Sequence, residues 1–168
     1  MPKNNFIALN IDNELLDEMY LKIQELKQKI GNFSPYKKSD LHMTLCFLGT
    51  ILKTDRNLKM IEITKNMESF SDQHSGKILV FDSFDIFKNL IVVKFKCEEN
   101  PEKFVGDVIQ FKQSFVNIGA KKENYFTPHI TLGKIEGLNR TDMKAYRELI
   151  NSLSPINTKI MVNKCSLV

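Results

Sequence analysis

The sequence predicts a mixed helix-and-strand fold in the order β-α-β-α-β-β-α-β-α-β, and three observations carry it. Short apolar runs such as Phe6 to Ile11 and Leu41 to Leu48 have the length of strands. Between such runs apolar residues recur at helical spacing with charges interleaved, most cleanly from Leu15 to Ile30. Turn and cap residues punctuate the alternation at Asp12-Asn13, Lys88-Asn89 and Asn100-Pro101. The order alone suits either a doubly wound sheet or an α+β sandwich with helices outside antiparallel sheets.

Phe6 to Ile11 reads as the first strand, and Asp12-Asn13 can cap the helix that follows. That helix lines up Leu15, Leu16, Met19, Tyr20, Ile23, Leu26 and Ile30, and Gly31 stands where a C-terminal glycine belongs. A loop through Ser34-Pro35 leads to the strand Leu41 to Leu48. A second helix is expected from about Asp55 to Met67, with Leu58, Ile61 and Met60 facing inward. Lys77 to Phe87 and Leu90 to Lys96 form a hairpin about Lys88-Asn89. Asn100 then offers an N-cap with proline at the first helical position, opening a helix through Phe104, Val105, Val108, Ile109 and Phe115 toward Gly119. The polar loop Lys121 to Asn124 precedes a strand from Pro128 to Ile135. A helix near Thr141 to Leu153 and a strand near Lys159 to Leu167 close the order.

At 168 residues the chain fits one compact domain, 1–168, or two small lobes sharing a core. With 42% hydrophobic and 26% charged residues it has the composition of an ordinary globular protein. The net charge of +4 comes from scattered lysines, which suits an anionic ligand without demanding one. Cys46, Cys97 and Cys165 are odd in number and lack metal-binding spacing, so a reducing, cytoplasmic setting is expected. No apolar run reaches the ~20 residues of a membrane span, and Met1 to Asn5 lacks a signal-peptide layout.

Two strings repeat: Leu41-His42-Met43-Thr44-Leu45 and Pro128-His129-Ile130-Thr131-Leu132. Composition alone would put that pattern behind a given histidine with a frequency of about 0.01, yet two of three histidines carry it. In a strand, residues i and i+2 share a face, so His42 with Thr44 and His129 with Thr131 point away from the core while Met43, Leu45 and Phe47 point into it. Cleaving a phosphodiester requires one proton removed from the attacking oxygen and another delivered to the leaving oxygen. Two imidazoles suit both tasks near neutrality. A threonine hydroxyl on the same face can donate to a non-bridging phosphate oxygen.

DLHMTLCFLG and FTPHITLGK resemble the two signature motifs of the 2H phosphoesterase superfamily, which includes RNA 2′,3′-cyclic phosphodiesterases. The opening strand FIALNI with its helix and the closing VNKCSLV also sit where that family places them, so the resemblance spans the chain. It implies an α+β fold of two pseudo-symmetric lobes, each an antiparallel sheet with outer helices, around a central cleft. It also implies catalytic pairs at His42 with Thr44 and His129 with Thr131, acid–base chemistry without metal or cofactor, and substrates among RNA ends or small cyclic or 2′-5′-linked nucleotides. Lys134 stands where many bacterial members carry arginine, offering one ammonium in place of a bidentate fork.

Tyr36, Tyr125, Phe126 and Phe47 flank the motifs, and an aromatic ring beside a phosphate can stack a base. Parity sends Phe47 to the core and leaves Phe126 undecided, so the loop residues Tyr36 and Tyr125 are the better stacking candidates. Lys37, Lys38, Lys121 and Lys122 are available to guide a polyanion. His74 sits in a polar stretch and is read as a solvent-facing loop residue. Cys46 shares the parity of His42, but four residues of strand, ~13 Å, separate the two. The leading expectation is a monomeric phosphodiesterase acting on 2′,3′-cyclic phosphates or 2′-5′ linkages. Three alternatives stand beside it: removal of 2′-5′ signalling nucleotides such as oligoadenylate or cGAMP, a non-catalytic nucleotide-binding module, and RNA joining by the reverse reaction.

Overall fold

A computed structural model describes residues 5–49 and 56–168 of the chain. The expected helix start at Asp55, and residues Met1 to Asn4 of the segment read for a leader, lie outside the described residues. The described chain forms β1 (Asn5–Leu9), α1 (Asn13–Lys29), β2 (Phe33–Pro35), β3 (Met43–Gly49), α2 (Arg56–His74), β4 (Ile78–Phe87), β5 (Leu90–Cys97), α3 (Pro101–Gln113), β6 (His129–Ile135), α4 (Met143–Asn151), β7 (Ile160–Met161) and β8 (Cys165–Leu167). Two antiparallel sheets result, one of three strands ordered β3-β1-β8 and one of five ordered β2-β6-β5-β4-β7. The α+β alternative is therefore the one the chain adopts, and a parallel doubly wound sheet is excluded.

Helix α1 buries Leu15, Met19, Ile23 and Leu26, a stripe repeating every three to four residues, and lies over β2 and β6. Its ends differ from expectation. Asp12 makes no side-chain capping bond, and Ile30 leaves the helix in extended conformation, so Gly31 supplies no left-handed turn. Tyr20 is exposed rather than part of the buried face. The carboxylate of Glu18 instead accepts from the backbone N–H groups of Asn157 and Thr158, at 2.5 and 2.9 Å, tying α1 to the segment before β7.

Helix α2 departs most from the sequence reading. Leu58 and Ile61, expected inside, are 75% and 67% exposed, while the inward face is Ile63, Phe70 and His74. The helix runs seven residues past the expected end at Met67, which places His74 in its last turn with no exposed surface. His74 is thus not the loop residue that its polar neighbours suggested. Its ring lies between Phe70 and Phe104, Nδ1 stands 2.9 Å from Lys77 Nζ, and Nε2 stands 3.8 Å from Asp107 without a hydrogen bond.

The hairpin and the third helix follow the sequence signals closely. Lys88 takes the positive φ of 59° that a two-residue hairpin loop favours at its first position. Asn100 accepts from the backbone N–H of Lys103 at 3.3 Å ahead of Pro101, and α3 then ends at Gln113, six residues short of Gly119. Ser34-Pro35, expected in a loop, belongs to β2 and pairs with β6. The last expected strand is broken in two: β7 pairs with β4 in the larger sheet and β8 pairs with β1 in the smaller. One short stretch of chain therefore serves both sheets.

Candidate active site

The two His-x-Thr strings end up in equivalent local structures. In each, Thr is followed by an unpaired leucine: between Thr44 and Cys46 the register of β3 on β1 slips past Leu45, and between Thr131 and Gly133 the register of β6 on β5 slips past Leu132. Such a bulge reverses the in–out alternation beyond it. Met43, Leu45, Ile130 and Leu132 are buried as the simple alternation requires. Past the bulge Cys46 and Gly133 are buried instead, and the fifth residue after each histidine, Phe47 or Lys134, turns outward. Phe47, read as core from parity, is for this reason 65% exposed.

Gly133 is required by close approach. A Cβ there would meet the Phe33 ring at 2.5 Å and Ser34 O at 2.7 Å, because β2 runs beside this part of β6, with Pro35 paired to Gly133.

A cleft of about 570 Å³ collects His42, Thr44, His129 and Thr131, together with Tyr36, Tyr125 and Phe126. Both sheets contribute to it, β3 with the first pair and β6 with the second. Of the residues singled out from sequence, Lys134 does not line the cleft; its ammonium lies 3.7 Å from Glu136. Among the lysines expected to guide a polyanion, Lys38 is bonded to Asp17. Lys37, Lys121 and Lys122 are exposed.

Each imidazole is held in the same way. Nδ1 of His42 lies 2.6 Å from the carbonyl of Asp40, and Nδ1 of His129 lies 2.8 Å from the carbonyl of Thr127, two residues upstream in both cases. A carbonyl can only accept, so each Nδ1 carries a proton and donates, which leaves Nε2 as the nitrogen available for proton transfer. A phenylalanine steadies each ring: Phe6 stacks on His42 at 4.6 Å between centroids, and Phe87 meets His129 edge-on at 5.1 Å. Two imidazoles, each with Nε2 free, and two hydroxyls nearby form a set able to move two protons at a phosphate.

Several residues of the cleft were not found in the sequence. Phe6, Phe87, Lys112, Glu123 and Thr127 line it, as does Phe47. Lys112 had a legible signal, since it follows Val108 by four residues on the face of α3 that buries Phe104 and Phe111. Cys46 also lines the cleft, but burial pushes its thiol up to about 11, so it stays protonated and is no nucleophile near neutral pH. Among the described residues no group of three or more His, Cys, Asp or Glu side chains is arranged to hold a metal ion.

No protein-family model matches the chain. The RNA 2′,3′-cyclic phosphodiesterase of Methanothermobacter thermautotrophicus is 28% identical over 170 residues, covering 96% of this chain and 86% of the relative. The chain is thus similar to the 2H phosphoesterase superfamily, of which these relatives and neighbours are members. The fold agrees with solved structures of this superfamily: TT0787 of Thermus thermophilus has a TM-score of 0.67 at 14% identity, over 99% of this chain and 87% of the other. LigT of E. coli, in its apo form, has a TM-score of 0.65 at 18% identity, over 99% and 86%, and has also been solved with 3′-AMP. These 2H likenesses run the length of both sheets, so the two-lobed arrangement expected from the motifs is the arrangement found.

Proposed function

We propose that the chain is a metal-independent phosphodiesterase that opens 2′,3′-cyclic phosphates on RNA ends or small nucleotides, with His42 and His129 as general acid and base. The observation that carries this reading is the repeated device in the cleft: two imidazoles, each locked through Nδ1 to the carbonyl two residues upstream and each with a threonine two residues downstream. In the reaction one neutral imidazole takes a proton from water as its oxygen attacks phosphorus. The bond from phosphorus to one ribose oxygen breaks, and the other imidazole, protonated at Nε2, gives its proton to that oxygen. Thr44 and Thr131 donate to the non-bridging oxygens, where negative charge builds up. The name of the archaeal relative and the 3′-AMP bound by LigT support a nucleotide substrate.

A second reading, cleavage of 2′-5′ linkages, is favoured by one observation: each sheet or its flanking loop contributes an exposed ring to the cleft, Phe47 on one side and Tyr125 on the other. A diester between two nucleosides would find a stacking face for each. The vicinal 3′-hydroxyl would then attack in place of water, and the 5′-oxygen would leave with the proton. The same ring pair would serve a 2′-5′ signalling nucleotide. On this reading residues 1–168 act as a single monomeric domain, and the three free thiols support a reducing, cytoplasmic setting.

The deciding experiment offers matched substrates, a 2′,3′-cyclic-ended RNA, 2′-5′ and 3′-5′ diadenylates, and a DNA diester, with products followed by chromatography. Ring opening of the cyclic end with the DNA untouched is the expected result. Cleavage of DNA at a comparable rate would show that no vicinal ribose oxygen is needed and would overturn the mechanism.

A further inference from the structure

Lys112 is an oddity in an otherwise apolar surface of α3. Its neighbours on that face are Phe104, Val108 and Phe111, and it is itself only 8% exposed. Its ammonium lies 2.6 Å from Glu123 Oε2 and donates to the carbonyl of Tyr125 at 3.1 Å. The same nitrogen sits 5.5 Å from the centre of the Tyr125 ring and 5.9 Å from that of Phe126. All four residues line the cleft.

The segment between Ala120 and Pro128 has no regular secondary structure, so its shape depends on what grips it. Lys112 grips it at Glu123 and Tyr125, Gln113 reaches Asn124 at 3.4 Å, and His129 takes the carbonyl of Thr127. Tyr125, 70% exposed, would have no fixed position without such ties. A buried ion pair contributes little net stability compared with an apolar pair of the same volume, and its better-attested use is to select one arrangement among several. Cation and ring faces add directional attraction that a methylene chain would lack.

We infer that Lys112 is a positioning residue, which fixes residues 123–126 so that Tyr125 forms the wall that receives the nucleobase. Its ammonium bonds neither histidine, being taken up by Glu123 and the Tyr125 carbonyl, and it acts through them. The inference rests on the phosphodiesterase reading for its substrate and on geometry for the latch itself.

The test compares wild type with Lys112→Met, which keeps the volume and removes the charge, and with Lys112→Arg, which restores a cation. Two substrates are used, a nucleoside 2′,3′-cyclic phosphate and a ribose 2′,3′-cyclic phosphate lacking a base. Lys112→Met should raise KM for the nucleotide by about tenfold, the scale of one lost base–aromatic stack, while kcat and the kinetics on the baseless substrate change little. Lys112→Arg should recover part of the loss. In parallel, limited trypsin digestion should cut after Lys121 and Lys122 faster in Lys112→Met, because the segment is no longer held.

A defect in kcat, an equal defect on both substrates, or unchanged trypsin sensitivity would overturn the inference. Should Lys112→Met fail to fold, Glu123→Gln releases the same latch and is read by the same criteria. If wild type opens neither substrate, the phosphodiesterase reading fails, and the trypsin comparison still decides the latch.

Discussion

On the proposed mechanism two histidines carry the chemistry at the scale of single residues, and a third reports on the fold. His42→Ala or His129→Ala should each lower turnover by on the order of 10²–10⁴ with the fold intact, as expected for loss of a general acid or base. Near-normal activity in either variant would rule out the paired mechanism, and circular dichroism would check the fold. Because one imidazole must be neutral and the other protonated, kcat/KM should be bell-shaped in pH.

His74 behaves differently: burial first, then the ammonium of Lys77, holds its pKa below the ordinary value of 6.5, against a smaller opposing pull from Asp107. A depressed folded-state value means that the unfolded chain binds the proton first as pH falls. The stability it contributes is therefore complete above about pH 6.5 and is lost as pH drops through its folded-state value. Thermal unfolding between about pH 7 and pH 5 should show a falling midpoint in wild type and a flatter one in His74→Leu, which suits the Phe70 and Phe104 surroundings. Parallel curves would assign the acid sensitivity to other groups. Glu18 and Asp85 are separable from it: burial opposes ionisation in both, but the Thr158 hydroxyl and the backbone N–H groups of Asn157 and Thr158 at Glu18, and the Ile86 N–H and Arg147 at Asp85, outweigh it and hold both carboxyls below their usual values, so they act at lower pH.

At the scale of elements, the matched bulges explain both how the cleft is lined and what the sequence hides. Phe47→Ala should leave stability within about 0.5 kcal/mol, as for an exposed residue, yet raise KM for a nucleotide. A loss of about 3–5 kcal/mol in a denaturant titration would mean that Phe47 is core after all. Gly133→Ala should destabilise by about 1–3 kcal/mol, since the new methyl meets a ring edge and the carbonyl of Ser34 on a paired strand. Equal stability of the alanine variant would show that β2 yields freely.

Much of this scale was legible. Local chemistry marks the Lys88-Asn89 hairpin and the Asn100-Pro101 cap, and both stand where expected. The motif residues were legible because i and i+2 share a face up to the bulge. Beyond it the alternation flips, which no property of Leu45 or Leu132 announces, since an extra residue in one strand is defined only by its partner. Helix α2 misled for a related reason. Leu58 and Ile61 have helical spacing, but the neighbouring elements cover the face of Ile63, Phe70 and His74 instead. Lys112 was missed because a charge on an apolar face reads as an interruption until its partner Glu123, eleven residues on, is placed beside it.

For the whole molecule, the chain passes between the two sheets repeatedly, and its last crossing falls in the last ten residues of the described chain. β7 completes the five-stranded sheet and, three residues later, β8 completes the three-stranded one. Far-ultraviolet and near-ultraviolet signals should therefore lose structure in one coincident transition. Ser166→Pro, which removes a donor opposite Ala8, should lower that transition as a whole rather than split it. Two resolved transitions would mean that the lobes fold independently. Activity should survive a strong chelator, and loss restored by added zinc or manganese would refute acid–base chemistry by two imidazoles alone.

The pairing of β1 with β8 also sets an order of assembly. β1 spans residues 5–9 and lies between β3 and β8, so the sheet that carries His42 lacks its third strand until residues 165–167 have left the ribosome. During synthesis β1 and β3 present an open edge for about the time needed to translate the intervening residues, on the order of ten seconds at ~5–20 residues per second. The larger sheet, assembled mostly from the adjacent β4, β5 and β6, can form before then. His129 is accordingly mounted on a nearly finished support while His42 still awaits β8.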